Sequence, residues 1–240
     1  MFRDRQEAGQ KLAVELVKLQ LPDPVVLALP RGGVPVAAEV AKMLKAPLDL
    51  ILVRKVGAPG NPELAVAAIV DGDPADVVLN REIVEAYSLD DDELRVLIAN
   101  ERPELERQRT EYRGKQKPMS IDGKSVIVVD DGAATGTTMK VAIRALKRRS
   151  PREIIVALPV APAQTLTDLA CEADWAVCLS EPSQFRALSQ HYLNFPQLSD
   201  ADVLTILDDV ATAQAAGRRD DRKPSTPGIA RIRREAAAKR

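Results

Sequence analysis

The sequence has few of the residues from which metal centres, disulfide frameworks and catalytic triads are built. Its 240 residues include one histidine, His191, and two cysteines, Cys171 and Cys178. A single histidine excludes a His-based metal site or triad, and two cysteines without His or Cys partners at metal-ligand spacing are too few for a disulfide framework. We therefore expect both thiols to lie in the core and His191 to be a structural or surface residue.

Long apolar runs and an excess of one charge are missing as well. No segment approaches the roughly eighteen apolar residues of a membrane span, and the charged start, residues 1–6, is not typical of a signal peptide. Lys and Arg number 34 against 35 Asp and Glu, for a formal net charge of −1, so no global field favours nucleic acid or lipid. Hydrophobic residues make up 45% of the chain, which is ample for a core. We expect a soluble, cytoplasmic protein without a membrane partner.

The most specific stretch of the chain is 126–138, with the sequence VIVVDDGAATGTT. Its four consecutive β-branched residues cannot alternate between two faces, which predicts a parallel strand covered on both sides. Asp130 and Asp131 follow at the carboxyl end of this strand, where open α/β sheets bind ligands. Residues 132–138 are small or hydroxylated, and the apolar spacing after them predicts a helix. A turn at a helix N-terminus is suited to binding a phosphate group.

Strand and helix patterns alternate over 25–179 and predict an α/β fold, a central mostly parallel sheet with helices on both faces. Two apolar runs, 64–70 and 76–79, predict a hairpin at the edge of that sheet. A charged insert over 81–113 is predicted to form two helices, as an arm over the sheet or a dimer contact. We expect one domain over 1–216, followed by a basic, mobile tail over 217–240.

A glycine-containing loop follows the first apolar strand. It consists of Arg31, Gly32 and Gly33. Glycine permits either a close backbone approach or a positive φ, and arginine carries a permanent charge that pairs with phosphate oxygens. A plain tight turn is the alternative interpretation.

A basic pair, Arg54 and Lys55, ends the second apolar run, 48–53. The segment after it, 56–63, contains two glycines and two prolines, so we expect it to lack regular structure. Cations at such a place can stabilise the charge that develops on a departing anion. A solvated basic turn is the alternative.

These three loops, in this order, resemble those of type I phosphoribosyltransferases. The runs ALPRGGVPVA (28–37) and RKVGAPGNPELA (54–65) are also similar to a bacterial branch of that family. The resemblance implies that Asp130 and Asp131 hold the ribose hydroxyls of phosphoribosyl pyrophosphate and that Arg31, Gly32 and Gly33 bind its pyrophosphate. It also implies a mobile loop after the basic pair that closes over the reaction centre. The residues implied to bind the 5-phosphate are Ala133, Ala134, Thr135, Gly136, Thr137 and Thr138.

The reaction implied by the resemblance is transfer of the 5-phosphoribosyl group to a nitrogenous base, with release of pyrophosphate. Mg²⁺ is the implied cofactor, near Asp130 and Asp131 and held indirectly through ribose hydroxyls or water. Arg54 and Lys55 are the expected catalytic cations. Purine transferases of the hypoxanthine and guanine type carry an acid where this chain has Ala134, so the base is unassigned and Glu63 is our candidate general base. We expect a homodimer.

The rare aromatic residues, 3% of the chain, are concentrated in 181–200. In the resembled family the corresponding segment recognises the base and is called a hood, and rings can stack on a flat base. Aromatic residues after a final strand more often close a core. We favour the second interpretation and keep the hood as the alternative.

Two other functions fit parts of the sequence. A regulator that senses phosphoribosyl pyrophosphate or nucleotides could bind nucleic acid through the basic tail, which is the only segment suited to that partner. A phosphohydrolase acting on a ribose phosphate would release phosphate without needing an acceptor. We rank both below the transferase.

Overall fold

The strands of the protein form two separate sheets. The computed structural model describes residues 1–72, 74–114 and 116–220, and the side chains of Glu63 and of 217–220 lie outside this description. Within these residues the strands are β1 (Pro24–Ala28), β2 (Leu48–Leu50), β3 (Val53–Ala58), β4 (Asn61–Val70), β5 (Asp76–Leu79), β6 (Ser125–Val129), β7 (Glu153–Val160) and β8 (Trp175–Ser180).

The larger sheet has the strand order β2-β1-β6-β7-β8 and is parallel throughout. All five residues of β6 are buried, as expected for a β-branched strand with helices on both faces. The predicted α/β fold is therefore confirmed. From β1 the chain runs outward to β2, whereas β6, β7 and β8 extend the other way. The switch point of the sheet thus lies between β1 and β6, and the loops after these two strands meet there.

The helices of the described residues are α1 (Arg5–Val17), α2 (Gly33–Leu44), α3 (Arg81–Ala86), α4 (Asp91–Arg113), α5 (Thr137–Lys147), α6 (Ala163–Glu172) and α7 (Asp200–Asp220), with a 3₁₀ turn at Leu188–His191. Helices α1, α2 and α7 lie on one side of the parallel sheet, and α5 and α6 lie on the other. Within the described residues no helix combines the length and apolar character needed to cross a membrane.

The second sheet is antiparallel, has the order β3-β4-β5 and lies between α4 and α5. The hairpin of β4 and β5 is confirmed, but its predicted place at the edge of the main sheet is wrong. The expectation of no regular structure over 56–63 is also wrong, since β3 and β4 continue through it to a turn at Pro59 and Gly60. The ladder accommodates the proline of β4 by register shifts at Gly57, where a Cβ atom would lie 2.6 Å from Cα of Pro62.

The insert forms two helices as predicted, and Asp90 caps α4 in a capping box with Glu93.

Two other predictions differ from the structure. Cys171 is exposed and Cys178 is only half-buried, so the prediction that both thiols lie in the core is wrong. Helix α7 continues four residues beyond the predicted domain end at 216, to Asp220. The predicted basic tail otherwise lies outside the described residues, which end at 220.

A buried ionic cluster fixes the C-terminal end of α4. Arg113, whose side chain is 6% exposed, contacts the carboxylates of Asp71 and Asp49 and the carbonyl of Leu50. Asp49 also accepts a hydrogen bond from the backbone N–H of Met119 at 2.7 Å. These contacts tie the insert to β2 and to the segment after β4.

We expect Arg113→Met to lower the free energy of unfolding by about 3 kcal/mol, because it leaves the buried Asp71 with only the more distant Arg109, whose Nε lies 3.6 Å away. Urea denaturation measures the change. Arg102→Met is the matched control, since Arg102 is exposed on the same helix and should change stability by less than about 0.5 kcal/mol. Equal, small effects of the two substitutions would contradict this role of the cluster.

Candidate functional site

The loops after β1 and β6 lie in direct contact. A Cβ atom added at Gly32 would overlap the carboxylate of Asp131, and one at Gly33 would lie 2.6 Å from the carbonyl oxygen of Val129. Gly32 has a φ of −60°, so the alternative of a positive φ does not hold. The glycines are needed because the acid pair packs against their backbone. The chain therefore brings Arg31, Gly32 and Gly33 beside Asp130 and Asp131.

Asp131 is held by a network that reaches the N-terminal helix. Nε of Arg5 donates to Oδ2 of Asp131 at 2.7 Å, and both side chains are buried. The same guanidinium donates to the carbonyl of Pro196 at 2.8 Å and lies 3.7 Å from the ring centre of Phe195. The hydroxyl of Tyr192 donates to the carbonyl oxygen of Asp131 at 2.5 Å. Arg5 thus joins the second acid to the segment predicted as the hood.

Asp130 forms no salt bridge with a cation of the described residues, and the charge of Arg5 has only a minor effect on it. Burial, and next the charge of Asp131, raise the pKa of Asp130 well above its ordinary value. One carboxylate oxygen accepts the backbone N–H of Asp131 at 2.8 Å. A carboxyl group in this state is stabilised by any added hydroxyl donor or cation. Asp130 is therefore the acid better placed to bind a sugar hydroxyl.

The turn after the acids has the form expected of a phosphate site. Gly136 has a left-handed backbone (φ 69°) and precedes α5, and no described side chain caps this helix. The first N–H groups of α5 have no intrahelical partner, so they are available to an anion. Two hydrogen bonds hold the turn in place. The N–H of Ala133 donates to the carbonyl of Val160, and the hydroxyl of Thr165 donates to the carbonyl of Ala134.

The hydroxyl side chains of the turn face outward to different degrees. Thr135 and Thr137 are exposed, with their hydroxyl oxygens 3.1 Å apart. Thr138 is half-buried. The helix dipole, the free N–H groups and the hydroxyls are together chemically suited to one phosphate group.

A polar cavity of about 460 Å³ lies beside this turn. Arg31 from the loop after β1, Arg54 from β3 and Thr138 from α5 line it, together with Arg107 and Asp200 from α4 and α7. Nε of Arg54 donates to Glu101 of α4 at 2.7 Å. The insert therefore forms the outer wall of the cleft. It lies as an arm over a sheet, which was one of the two predicted arrangements, but over the small sheet instead of the main one. Three arginines converge here, and two of them are also paired with acids of α4, Arg54 with Glu101 and Arg107 with Glu104 and Glu111. Their remaining N–H groups can bind a second anionic group.

Of the other two predicted catalytic residues, the structure describes the side chain of Lys55 only. Lys55 is exposed, and as the neighbour of Arg54 in β3 it points to the opposite face of the strand. Glu63 lies in β4, and its side chain lies outside the described residues. The structure thus brings Arg54, but not Lys55, to the polar cavity that Arg31 and Thr138 line.

The aromatic segment both closes a core and borders the site. Tyr192 packs with Phe2, Ala8 and Val160 in a small buried cluster, which is the interpretation we favoured. Phe195, however, lines a second cavity of about 360 Å³. The other lining residues of that cavity include Arg5, Arg31, Gly32, Asp131, Leu188 and Pro196. A flat ring compound could enter here, next to the acids.

His191 is half-buried, and its ring is stacked on Phe185 at 5.1 Å between centroids. Among the described buried side chains its Nε2 has no hydrogen-bond partner. The structural role predicted for it agrees with this packing.

Sequence reasoning missed Arg5, Arg107 and Tyr112. Arg5 had a detectable signal, because it falls on the buried stripe of α1 with Ala8, Leu12 and Leu16, and a charged residue on such a stripe usually has a buried partner. Arg107 and Tyr112 had none, since their partner Asp200 is distant in sequence. The two residues lie in a helix whose charge pattern is typical of a solvated face.

The carboxylates present suit a cation only if substrate oxygens complete its coordination. Among residues 1–72, 74–114 and 116–220 no group of three His, Cys, Asp or Glu side chains could hold a metal ion. Asp131 is paired with Arg5, which leaves Asp130 as the main protein ligand. Mg²⁺ is commonly bound by one or two carboxylates together with substrate phosphates. The residues therefore fit a magnesium ion that arrives with a phosphorylated substrate.

Known proteins are similar to this chain in sequence and in fold. The family model described as a phosphoribosyl transferase domain matches residues 4–195. Two relatives from Mycobacterium tuberculosis, strains CDC 1551 and H37Rv, are provisionally named phosphoribosyl transferases. Each is 41% identical over 208 residues, which cover 87% of this chain and 46% of the relative. The chain thus spans about half the length of the curated relatives it matches.

A solved structure is similar over almost its whole length. The crystal structure of the protein TT1426 from Thermus thermophilus has 42% sequence identity and a TM-score of 0.78, covering 87% of this chain and 98% of that one. The parallel sheet and its flanking helices are therefore shared with an experimentally determined protein.

The raised pKa of Asp130 predicts a pH-dependent stability. Its ordinary value is 3.8, so above that pH the unfolded chain loses this proton before the folded chain does. The contribution of Asp130 to stability is therefore lost as pH rises through the folded pKa. We expect Asp130→Asn to gain stability relative to the wild type between pH 4 and neutrality, by urea denaturation. Asp122→Asn, at an exposed acid, is the control, and a difference that does not vary with pH would contradict the prediction.

Proposed function

The chain belongs to the phosphoribosyl transferase domain family, and from this premise we propose that it transfers the 5-phosphoribosyl group of phosphoribosyl pyrophosphate to a nitrogenous base. One observation carries the proposal. The acid pair, the phosphate turn and the arginine loop, predicted separately from sequence, meet at the switch point of one sheet, with Gly32 packed against Asp131. A donor with two anionic ends and a diol between them matches this arrangement.

The donor is proposed to bind along the edge of the sheet. Its 5-phosphate takes the N–H groups and hydroxyls of Thr135–Thr138, and its ribose hydroxyls donate to Asp130. Its pyrophosphate lies toward Arg31 and Arg54 in the polar cavity. Carboxylates repel phosphates and accept from hydroxyls, so the alternation of charge along the cleft favours this one orientation.

In the transfer step a nitrogen of the base forms a bond to C1 of the ribose while the bond from C1 to pyrophosphate oxygen breaks. The electron pair leaves with the pyrophosphate, and the proton of the base goes to a general base, for which Glu63 is the candidate. Arginine charges placed where negative charge develops lower the barrier. Mg²⁺, when bound, supplies further neutralisation of the pyrophosphate.

Holding both reactants is the other part of the proposed catalysis. The cavity beside Phe195 and Asp131 is the proposed place of the base, and Arg31 lines both this cavity and the polar cavity proposed for the pyrophosphate. Fixing the two molecules in one orientation removes most of the entropic barrier. Arg5 would act through Asp131 and Pro196 as a positioning residue.

The experiment incubates purified full chain with phosphoribosyl pyrophosphate and Mg²⁺ against a panel of purine, pyrimidine and nicotinate-type bases. We expect base-dependent release of pyrophosphate. Asp130→Asn should lower kcat/KM for the donor by about 10- to 100-fold, the loss of one charge-assisted hydrogen bond, and Asp122→Asn should not. No release with any base contradicts the proposal, and release of phosphate without a base would instead favour the phosphohydrolase.

Arg54 and Lys55 can be distinguished by the same assay. Arg54 lines the cavity and Lys55 points away, so Arg54→Gln should lower kcat by at least about tenfold. Lys55→Gln should have a smaller effect. A larger loss for Lys55→Gln than for Arg54→Gln would contradict this assignment.

A further inference from the structure

The polar cavity already contains a negatively charged group of the protein. Asp200, the first residue of α7, accepts a hydrogen bond from the hydroxyl of Tyr112. Its carboxylate oxygens lie 3.7 Å from Nη1 of Arg31 and 3.5 Å from Nη1 of Arg107. One carboxylate thus meets a cation of the sheet edge, a cation of the insert and a neutral donor.

The same set of groups would bind a phosphate oxygen. Burial, and next the hydrogen bond to Asp200, raise the pKa of Tyr112, so its hydroxyl remains a donor at neutral pH. Arginines with separate N–H groups recognise phosphates and carboxylates alike. The carboxylate of Asp200 therefore lies in a site suited to an anion, and its contacts are more than a chance surface pairing.

We propose that Asp200 is an internal occupant of a pyrophosphate-binding site that Arg107 and Tyr112 of the insert complete, and that pyrophosphate displaces it. The inference deepens the proposed function, because pyrophosphate is the leaving group of that reaction. Arg107 and Tyr112 of α4 thereby become ligands of the pyrophosphate in addition to the loop of Arg31, Gly32 and Gly33. It also makes Asp200 a competitor that weakens binding of the donor and favours release of the product.

The attachment of Asp200 allows such a displacement. Its two distances to arginine are longer than a hydrogen bond, and its side chain is 23% exposed. The start of α7 is capped by Ser199 and Asp202 without Asp200. The buried Val203 and Val210 keep the helix packed. Rotation of one side chain can therefore open the site while α7 stays in place.

A purely structural role is the competing explanation, in which the bond between Asp200 and Tyr112 only holds α7 against α4. Asp200→Asn separates the two, because an amide oxygen still accepts from Tyr112 but no longer carries a charge. Arg107→Gln tests the other half of the proposal. Two exposed residues of the same helices provide matched controls, Asp208→Asn and Arg102→Gln.

The experiment is titration calorimetry of the full chain with inorganic pyrophosphate, with and without Mg²⁺. Removing one like charge near 4 Å should tighten binding about fivefold in Asp200→Asn. Arg107→Gln should weaken it by about the same factor. The controls should match the wild type. Melting temperatures are recorded for each variant, and Asp200→Asn should unfold at the wild-type temperature.

Unchanged affinity in Asp200→Asn, or in Arg107→Gln, would overturn the inference, as would loss of binding in both. Because the readout is binding, it is independent of turnover. A chain that shows these affinity shifts but transfers nothing would contradict the proposed function and leave the inference standing. If the chain transfers phosphoribosyl groups but its affinity for pyrophosphate does not change in Asp200→Asn, the inference is contradicted and the proposed function stands.

Discussion

The contact between Gly32 and the carboxylate of Asp131 is the constraint on which the site depends. There is no room for a side chain at Gly32, so the loop after β1 and the loop after β6 can be in place only together. Arg5 fixes the shared carboxylate from the far side and extends the contact to Phe195 and Pro196. Because β1 and β6 are neighbours where the strand order reverses, the sheet itself brings these loops to one edge.

The charges of the site follow from that packing. Asp131 is paired with a buried arginine, whereas burial, and next the charge of Asp131, raise the pKa of Asp130. An added hydroxyl donor or cation would therefore stabilise the ionised Asp130. A short distance away, Arg31 and Arg54 face a cavity walled by the insert. The insert is held in turn by the buried pair of Arg113 and Asp71. Two separate buried ion pairs thus fix the cleft. Arg5 with Asp131 fixes its negative half, and Arg113 with Asp71 fixes its positive half.

Sequence reasoning succeeded where a local pattern has one structural solution. The β-branched run of β6 and the small residues before α5 predicted the strand, the turn and the helix after it correctly, and the acids lie at the carboxyl end of the strand as expected. It failed at 56–63, because Pro and Gly forbid regular structure only where the ladder cannot shift register, and here it shifts at Gly57. The charged contacts of the site could not be predicted in the same way. Arg5 meets Asp131 across 126 positions of chain, and Tyr112 meets Asp200 across 88, so only the packed fold brings these partners together.

A crystal structure of the full chain with phosphoribosyl pyrophosphate and Mg²⁺ tests the central claim most directly. The account predicts the 5-phosphate at the N-terminus of α5, the ribose hydroxyls on Asp130 and the pyrophosphate between Arg31 and Arg54. Mg²⁺ should lie among donor oxygens near Asp130. A donor bound elsewhere, or one whose phosphate lies away from residues 133–138, would contradict it.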